Sequence, residues 1–130
     1  MDILETLKAD YARFPADQTY DIYDEQVYFK DPLNEFTGIK RYQQNIALIA
    51  RLFSNIQLDL YEITQTDSQI TTRWTLHMDA PLPWKPRLSI PGWSELGLNS
   101  VKAIASHIDY WDIPPGAVLA QCAPWRSQNS

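Results

Sequence analysis

Apolar residues in the N-terminal half of the chain recur at helical spacing. They form one stripe over residues 2–14 and a broader one from 38 to 53, and each stripe predicts a helix. Asp2 has the position and chemistry of an N-cap for the first helix, and Pro15 ends it. Residues 16–24 are predicted to form a shorter helix between these two. The N-terminal half is therefore predicted to be mainly helical.

The second half of the chain has the period-two alternation of strands. Residues 56–66 alternate but change parity midway, which indicates a bulge, and residues 69–79 pair back as a hairpin. The proline-rich residues 80–92 predict a rigid excursion, interrupted at most by a short strand over 87–90. Strands over 93–98 and 101–113 follow. Helices first and strands later predict an α+β fold, with the helices on one face of a curved sheet.

The last strand carries one of the two histidines of the chain. Because side chains alternate across a strand, His107, Asp109 and Trp111 share one face. A histidine and a carboxylate two residues apart can orient one another in a site, and the alternative is a polar pair at the rim of the sheet. The opposite face carries Ile104 and Ile108, so both faces should be covered. We therefore predict a homodimer through the outer face of the sheet.

A second candidate carboxylate ends a short strand over residues 26–31. Asp31 shares its face with Val27 and Phe29, where desolvation would suit a general base or acid. Pro32 follows, so an Asp-Pro turn is the alternative, and the residues alone do not choose. His77 lies on the polar face of its strand and is predicted to be a surface residue.

Composition narrows the classes of partner. The chain has 130 residues and a net charge of −5, which argues against binding nucleic acid or an anionic membrane surface. Cys122 is the one cysteine, so no intrachain disulfide forms, and no motif for a metal or cofactor is present. The N-terminus lacks the features of a signal or transit peptide, and we expect a cytoplasmic protein. The 12% aromatic residues can line a cavity for an apolar ligand.

Two stretches carry a resemblance to a known superfamily. Residues 23–32, with an acidic residue, a short strand and Asp31-Pro32, and then Phe36-Thr37-Gly38-Ile39, resemble the SnoaL-like and ketosteroid isomerase-like proteins of the nuclear transport factor 2-like superfamily. Residues 105–112 resemble its last strand. The segment 82–93, with Trp84 and Trp93, resembles the insert of a closer family, a domain of unknown function (2358) found in cyanobacteria and plant chloroplasts.

The resemblance implies a cone: a strongly bent antiparallel sheet wrapped on the N-terminal helices, the nuclear transport factor 2-like or cystatin-like architecture. It places Asp31 at the general base of ketosteroid isomerase and Trp111 on a pocket wall, with His107 and Asp109 facing inward. Other expected wall residues are Phe29, Trp84 and Tyr11. The second acid of ketosteroid isomerase would fall near Ser94, where no carboxylate stands, so a steroid isomerase is not supported.

Three functions follow from these expectations. The first is a small-molecule binding or accessory protein with a partly apolar pocket, for an apolar or carbonyl-bearing ligand. The second is a small acid-base enzyme, an isomerase, cyclase or dehydratase, that uses Asp31 with His107 and Asp109. The third is a structural dimerisation module. We expect one domain over residues 1–116, followed by a C-terminal tail over 117–130.

Overall fold

Two long helices form where the apolar stripes predict them. The computed structural model describes residues 2–124, in which α1 spans Ile3–Arg13 and α2 spans Ile39–Leu52. The carboxylate of Asp2 accepts the Glu5 N–H at 2.9 Å, which confirms the predicted cap. Gly38 precedes α2 with φ of 112°, a value that side chains disfavour. No helix within these residues has the length and apolarity that crossing a membrane requires.

Six strands form one curved sheet. They are β1 (Tyr23–Lys30), β2 (Glu35–Thr37), β3 (Ser54–Gln65), β4 (Gln69–Asp79), β5 (Arg87–Leu98) and β6 (Ile104–Trp111), and a short helix α3 (Pro115–Ala120) follows. The strand order is β2-β1-β6-β5-β4-β3. Neighbouring strands are antiparallel except β1 and β6, which run parallel. The predicted α+β fold with a curved sheet on N-terminal helices is confirmed.

The inner face of the sheet meets the helices and holds the core. The predicted parity change in β3 is a register shift between Leu60 and Glu62, which bends the strand as a bulge does. The buried positions of the central strands alternate, as one covered face requires: Ile70, Thr72, Trp74 and Met78 on β4, and Leu88, Ile90, Ser94 and Leu96 on β5. The other parity of these strands forms the outer face.

The helix predicted over residues 16–24 is wrong. Residues 14–17 form turns, and β1 already begins at Tyr23. The buried carboxylate of Asp10 explains the difference, because it accepts hydrogen bonds from the Thr19 N–H, the Thr19 hydroxyl and Arg13 at 2.7–3.0 Å. These tertiary bonds fix the segment after α1 against that helix. Its backbone therefore bonds to Asp10 and does not form the hydrogen bonds of a second helix.

The excursion predicted for the proline-rich segment is shorter than expected. Residues 87–98 form one continuous strand, β5, with Pro91 inside it. The carbonyl of Pro91 accepts the Asp112 N–H at 2.8 Å, just beyond the last residue of β6. Since the N and C=O of one strand residue point to the same side, the missing N–H of Pro91 costs no bond to β4.

The C-terminal segment packs on the sheet as far as it is described. α3 buries Val118, and Trp84 Nε1 donates to the Cys122 carbonyl at 2.8 Å. Helix α3 thus crosses position 117, where we expected the tail to begin, and residues 125–130 of that expected tail lie outside the described residues. Trp84 holds the end of α3 and is itself 49% exposed.

Candidate functional site

A chain of hydrogen bonds runs through the interior of the curved sheet. Trp74 Nε1 donates to Ser94 Oγ at 2.8 Å, and Ser94 Oγ donates to Asp109 Oδ1 at 2.6 Å. His107 Nε2 lies 2.8 Å from the same carboxylate oxygen. The pairing of β5 with β6 sets Ser94 opposite Asp109, so the sheet itself positions this group. The predicted pairing of His107 with Asp109 is therefore present in the structure.

The second ring nitrogen of His107 faces tyrosines. Tyr42 on α2 places its hydroxyl 3.5 Å from His107 Nδ1, and the Tyr23 hydroxyl is 3.4 Å from that of Tyr42. Because an ionised carboxylate only accepts hydrogen bonds, Asp109 selects the tautomer with hydrogen on Nε2 in a neutral His107. Nδ1 is then an acceptor for the Tyr42 hydroxyl.

Aromatic rings enclose this histidine. The imidazole is 5.1 Å from the ring of Phe29, 5.5 Å from that of Tyr42 and 6.4 Å from that of Tyr23, measured between centroids. Phe29 is the partner of His107 across the parallel β1–β6 pair. His107 is 7% exposed. Phe29, predicted as a wall residue, thus packs directly on the imidazole.

The buried phenols remain protonated. Burial is the main cause that raises the pKa of Tyr11, Tyr23 and Tyr42 well above the usual 10.0, and the Asp109 carboxylate raises each further. The Tyr11 hydroxyl lies 2.9 Å from Thr72 Oγ1, so Tyr11, expected on a pocket wall, is a residue of the buried core. The interior therefore offers neutral hydroxyl donors around a histidine and a carboxylate.

A groove opens beside this chain where the parallel strands end. It has a volume of about 410 Å³ and is lined by Tyr28, Lys30, Asp31, Pro32, Ile108, Asp109, Tyr110 and Trp111. Three of the sequence-predicted residues, Asp31, Asp109 and Trp111, line it together. The other predicted residues are not part of this lining: His107 and Phe29 are buried, and Trp84 contacts the end of α3. A second groove of about 580 Å³, between α1 and β3, contains none of the predicted residues.

The carboxylate of Asp31 is engaged locally. Its Oδ1 accepts the backbone N–H groups of Leu33 and Asn34 at 2.8 and 2.7 Å, and the Asn34 side chain lies 3.2 Å away. This is the Asp-Pro turn that the sequence left open. Within residues 2–124, no hydrogen bond joins Asp31 to His107 or Asp109.

The sequence reasoning missed the polar partners of the histidine. Tyr23 and Tyr42 had helical or strand positions typical of packing, and Ser94 was noted only for lacking a carboxylate. The one available signal was the unusual number of tyrosines, seven in 130 residues. Within residues 2–124, no three His, Cys, Asp or Glu side chains group as metal ligands.

Solved structures share this fold. A protein with a ketosteroid isomerase-like fold from Catenulispora acidiphila, in complex with trimethylamine, aligns with a TM-score of 0.74 at 15% identity over 92% of this chain and 91% of that chain. A candidate SnoaL-like polyketide cyclase from Jannaschia aligns with 0.73 at 12% identity over 93% and 92%. An NTF2-like protein of unknown function from Burkholderia pseudomallei aligns with 0.68 at 12% identity over 84% and 89%.

These likenesses define the class of protein as one with the nuclear transport factor 2-like fold, as the sequence resemblance implied. Within that class, the chain belongs to the family of uncharacterized conserved proteins DUF2358, which matches residues 1–107. No curated protein matches the sequence. One fold of this kind hosts many activities, so function has to be argued from the site.

Proposed function

We propose that this protein binds a small molecule with an apolar body and a carbonyl group in the groove at the end of β1 and β6. The observation that carries the proposal is that a groove of about 410 Å³ has Asp109, a member of the buried hydrogen-bond chain, in its wall. This volume suits a small ligand. Trp111 and Ile108 supply apolar surface for the body of that ligand.

The polar groups of the groove suit a carbonyl compound. Lys30 lines it as a cationic donor for a carbonyl oxygen, and Asp109 is an acceptor for a ligand hydroxyl or amide. Ser94 and His107 both use Oδ1 of Asp109, so within residues 2–124 Oδ2 has no hydrogen bond and is left as an acceptor. The fold neighbour that holds trimethylamine supports a binding role for this architecture.

A matched pair of probes tests this proposal. Acetophenone and ethylbenzene have similar size, and only the first has a carbonyl. We expect acetophenone to shift the NMR signals of the Trp111 indole and the Asp109 amide at concentrations where ethylbenzene does not. Equal shifts from both probes would contradict the carbonyl preference, and no shift from either would contradict the site.

Lys30→Met provides the matched variant, because it keeps the length of the side chain and removes the charge. We expect it to weaken acetophenone binding about tenfold, the loss typical for a hydrogen bond to a charged group. Lys40→Met, on the exposed side of α2, is the control and should bind as the parent does. An equal loss of affinity in Lys30→Met and Lys40→Met would mean that Lys30 acts by long-range electrostatics and not by contact with the ligand.

A second candidate function is acid-base catalysis. Asp31 and Asp109 line the same groove, and Asp109 is coupled through His107 to the protonated Tyr42. Such an enzyme would remove a proton next to a carbonyl and return it. In heavy water this predicts replacement of the methyl protons of acetophenone by deuterium, with loss of the reaction in Asp31→Asn. Exchange at the rate of buffer alone would rule out this function for acetophenone-like ketones.

We also propose that the chain forms a homodimer through the outer face of the sheet. Trp93 and Tyr110 stack there with centroids 4.2 Å apart and planes 15° apart, and Tyr110 is 36% exposed. Aromatic rings that reach the surface of a sheet, as Tyr110 does, are frequent at interfaces. Light scattering should give the mass of a dimer, and Trp93→Ser should shift it toward the monomer. A monomer mass for the parent at micromolar concentration would refute the dimer.

A further inference from the structure

The outer face of the sheet holds a second histidine in a different arrangement. His77 Nδ1 lies 2.8 Å from Ser89 Oγ, and His77 Nε2 lies 3.2 Å from Asp59 Oδ2. The imidazole thus stands between a hydroxyl and a carboxylate, with one ring nitrogen toward each. A hydroxyl, a base and a carboxylate in this order form the arrangement that activates a serine nucleophile.

Three adjacent strands build this group. The register of β4 with β5 sets His77 directly opposite Ser89, and Asp59 on β3 is diagonal to His77. The N–H and C=O of Ser89 both bond to the Gln121 side chain, at 2.8 and 3.0 Å, and so point away from β4. His77 and Ser89 are therefore a non-hydrogen-bonded pair, the kind in which opposite side chains come closest.

Supporting contacts orient the carboxylate while the group stays accessible. Gln57 Nε2 donates to Asp59 Oδ1 at 2.8 Å, which leaves Oδ2 toward the imidazole. The side chains of His77 and Asp59 are 27% and 36% exposed, and Ser89 is half-buried. Each residue of the group thus keeps part of its surface in contact with solvent. The group also lies four residues along β5 from Trp93, about 13 Å away, so a dimer centred on Trp93 leaves it at the periphery.

The backbone at Ser89 adds a feature that acyl transfer needs. β6 pairs with β5 only from Gly92 onward, so no strand among residues 2–124 covers the Ser89 N–H. The Gln121 side chain from the end of α3 occupies that N–H instead. A displaced Gln121 side chain would free the N–H of the attacking residue as a donor for a developing oxyanion, the role that such groups have in acyl transfer.

We propose that Ser89, His77 and Asp59 form an acyl-transfer site for small carboxylic esters. Ser89 Oγ attacks the ester carbonyl and gives its proton to His77 Nδ1. The bond to the leaving oxygen breaks, the alcohol departs with that proton, and an acyl-serine remains. Water then attacks the acyl group, His77 relays its proton, and the acid leaves with Ser89 restored. Asp59 accepts the Nε2–H and holds the imidazole as a positioning residue. The site is independent of the groove at β1 and β6.

The test uses p-nitrophenyl acetate, a small activated ester, with the full-length protein. We expect an initial burst of nitrophenol and an acetyl group on Ser89, located by peptide mass spectrometry. Ser89→Ala should abolish the acetylated peptide. His77→Gln should slow acetylation about 10²-fold or more, since that is the usual contribution of a general base. Asp59→Asn should slow it while leaving the urea midpoint of unfolding nearly unchanged.

Ser106→Ala is the matched control, because Ser106 is a half-buried serine on the same outer face, on β6. It should be acetylated at Ser89 as the parent is. Absence of the acetyl group from Ser89 in the folded parent would overturn the proposal. Equal acetylation of Ser89 in the parent and in His77→Gln would also overturn it, because the hydroxyl would then react without its base.

Discussion

The two faces of one sheet use the same three residue types in different orders. On the inner face the carboxylate of Asp109 is in the middle, with Ser94 and His107 on either side. On the outer face the imidazole of His77 is in the middle, between Ser89 and Asp59. The side chain of the inner histidine is 9% exposed, while that of the outer one is 27% exposed.

The order decides what each group can do. Ser94 donates its proton to a carboxylate and receives one from Trp74, so its hydroxyl is held as part of a closed network. Ser89 instead bonds to an imidazole, which can take its proton away. The inner group therefore suits binding and fixed orientation, and the outer group suits nucleophilic chemistry.

Removal of each carboxylate should separate the two groups most clearly. Asp109→Ala leaves the buried Ser94 hydroxyl and the His107 N–H without their acceptor, so we expect a loss of about 3 kcal/mol in the free energy of unfolding. Asp59→Ala removes a partly exposed partner and should cost about 1 kcal/mol or less. Urea unfolding measures both values. Equal losses would mean that the deeper burial of Asp109 does not increase its contribution to stability.

The inner group was predicted in part from the sequence because strand parity fixes it. Two-residue spacing put His107, Asp109 and Trp111 on one face, and the covered inner face of β6 keeps them there. The predicted site also required Asp31, just after β1, to contact residues of β6, which are far from it in the sequence. The local turn with Leu33 and Asn34 engages its carboxylate, and parity contains no information about such a turn.

The outer group could not be predicted, because its members come from three strands. His77 was placed correctly on the outer face from alternation alone, but its neighbours depend on the register of β3 and β5. The bulge in β3 and the passage of β5 through Pro91 set that register. In the sequence, Pro91 favoured an interrupted strand. Its missing N–H costs no hydrogen bond in the structure, because it lies on the side of β5 where β6 ends.

The buried tyrosines make the stability of the protein sensitive to alkali. Burial raises the pKa of Tyr23 and Tyr42 in the folded state, whereas the unfolded chain loses those protons near pH 10. Their contribution to stability is complete below about pH 10 and is lost as the pH rises toward the folded-state pKa. We expect the free energy of unfolding to fall by up to about 1.4 kcal/mol per pH unit for each such tyrosine.

Tyrosine-to-phenylalanine variants measure that response by urea unfolding from about pH 8 to about pH 11. Tyr42→Phe should reduce the alkaline slope by the share of one tyrosine, because it removes a titrating group. Tyr61→Phe is the matched control, since Tyr61 is 66% exposed and should leave the slope unchanged. The same slope in the parent and in Tyr42→Phe would show that burial does not raise the pKa of Tyr42.

The smallest expected effect concerns the backbone beside the outer group. Gln121→Leu keeps the approximate size of the side chain but removes both bonds to Ser89, which should cost about 1 kcal/mol of local stability. This corresponds to about fivefold faster hydrogen exchange at the Ser89 amide. The Ser94 amide lies where β5 is paired on both sides and serves as the internal control. If Ser89 exchanges no faster, its N–H is not held by Gln121 and does not become available when that side chain moves away. If both amides accelerate equally, the variant loosens the whole sheet, and the contrast between a closed inner network and an outer group with a releasable N–H does not hold.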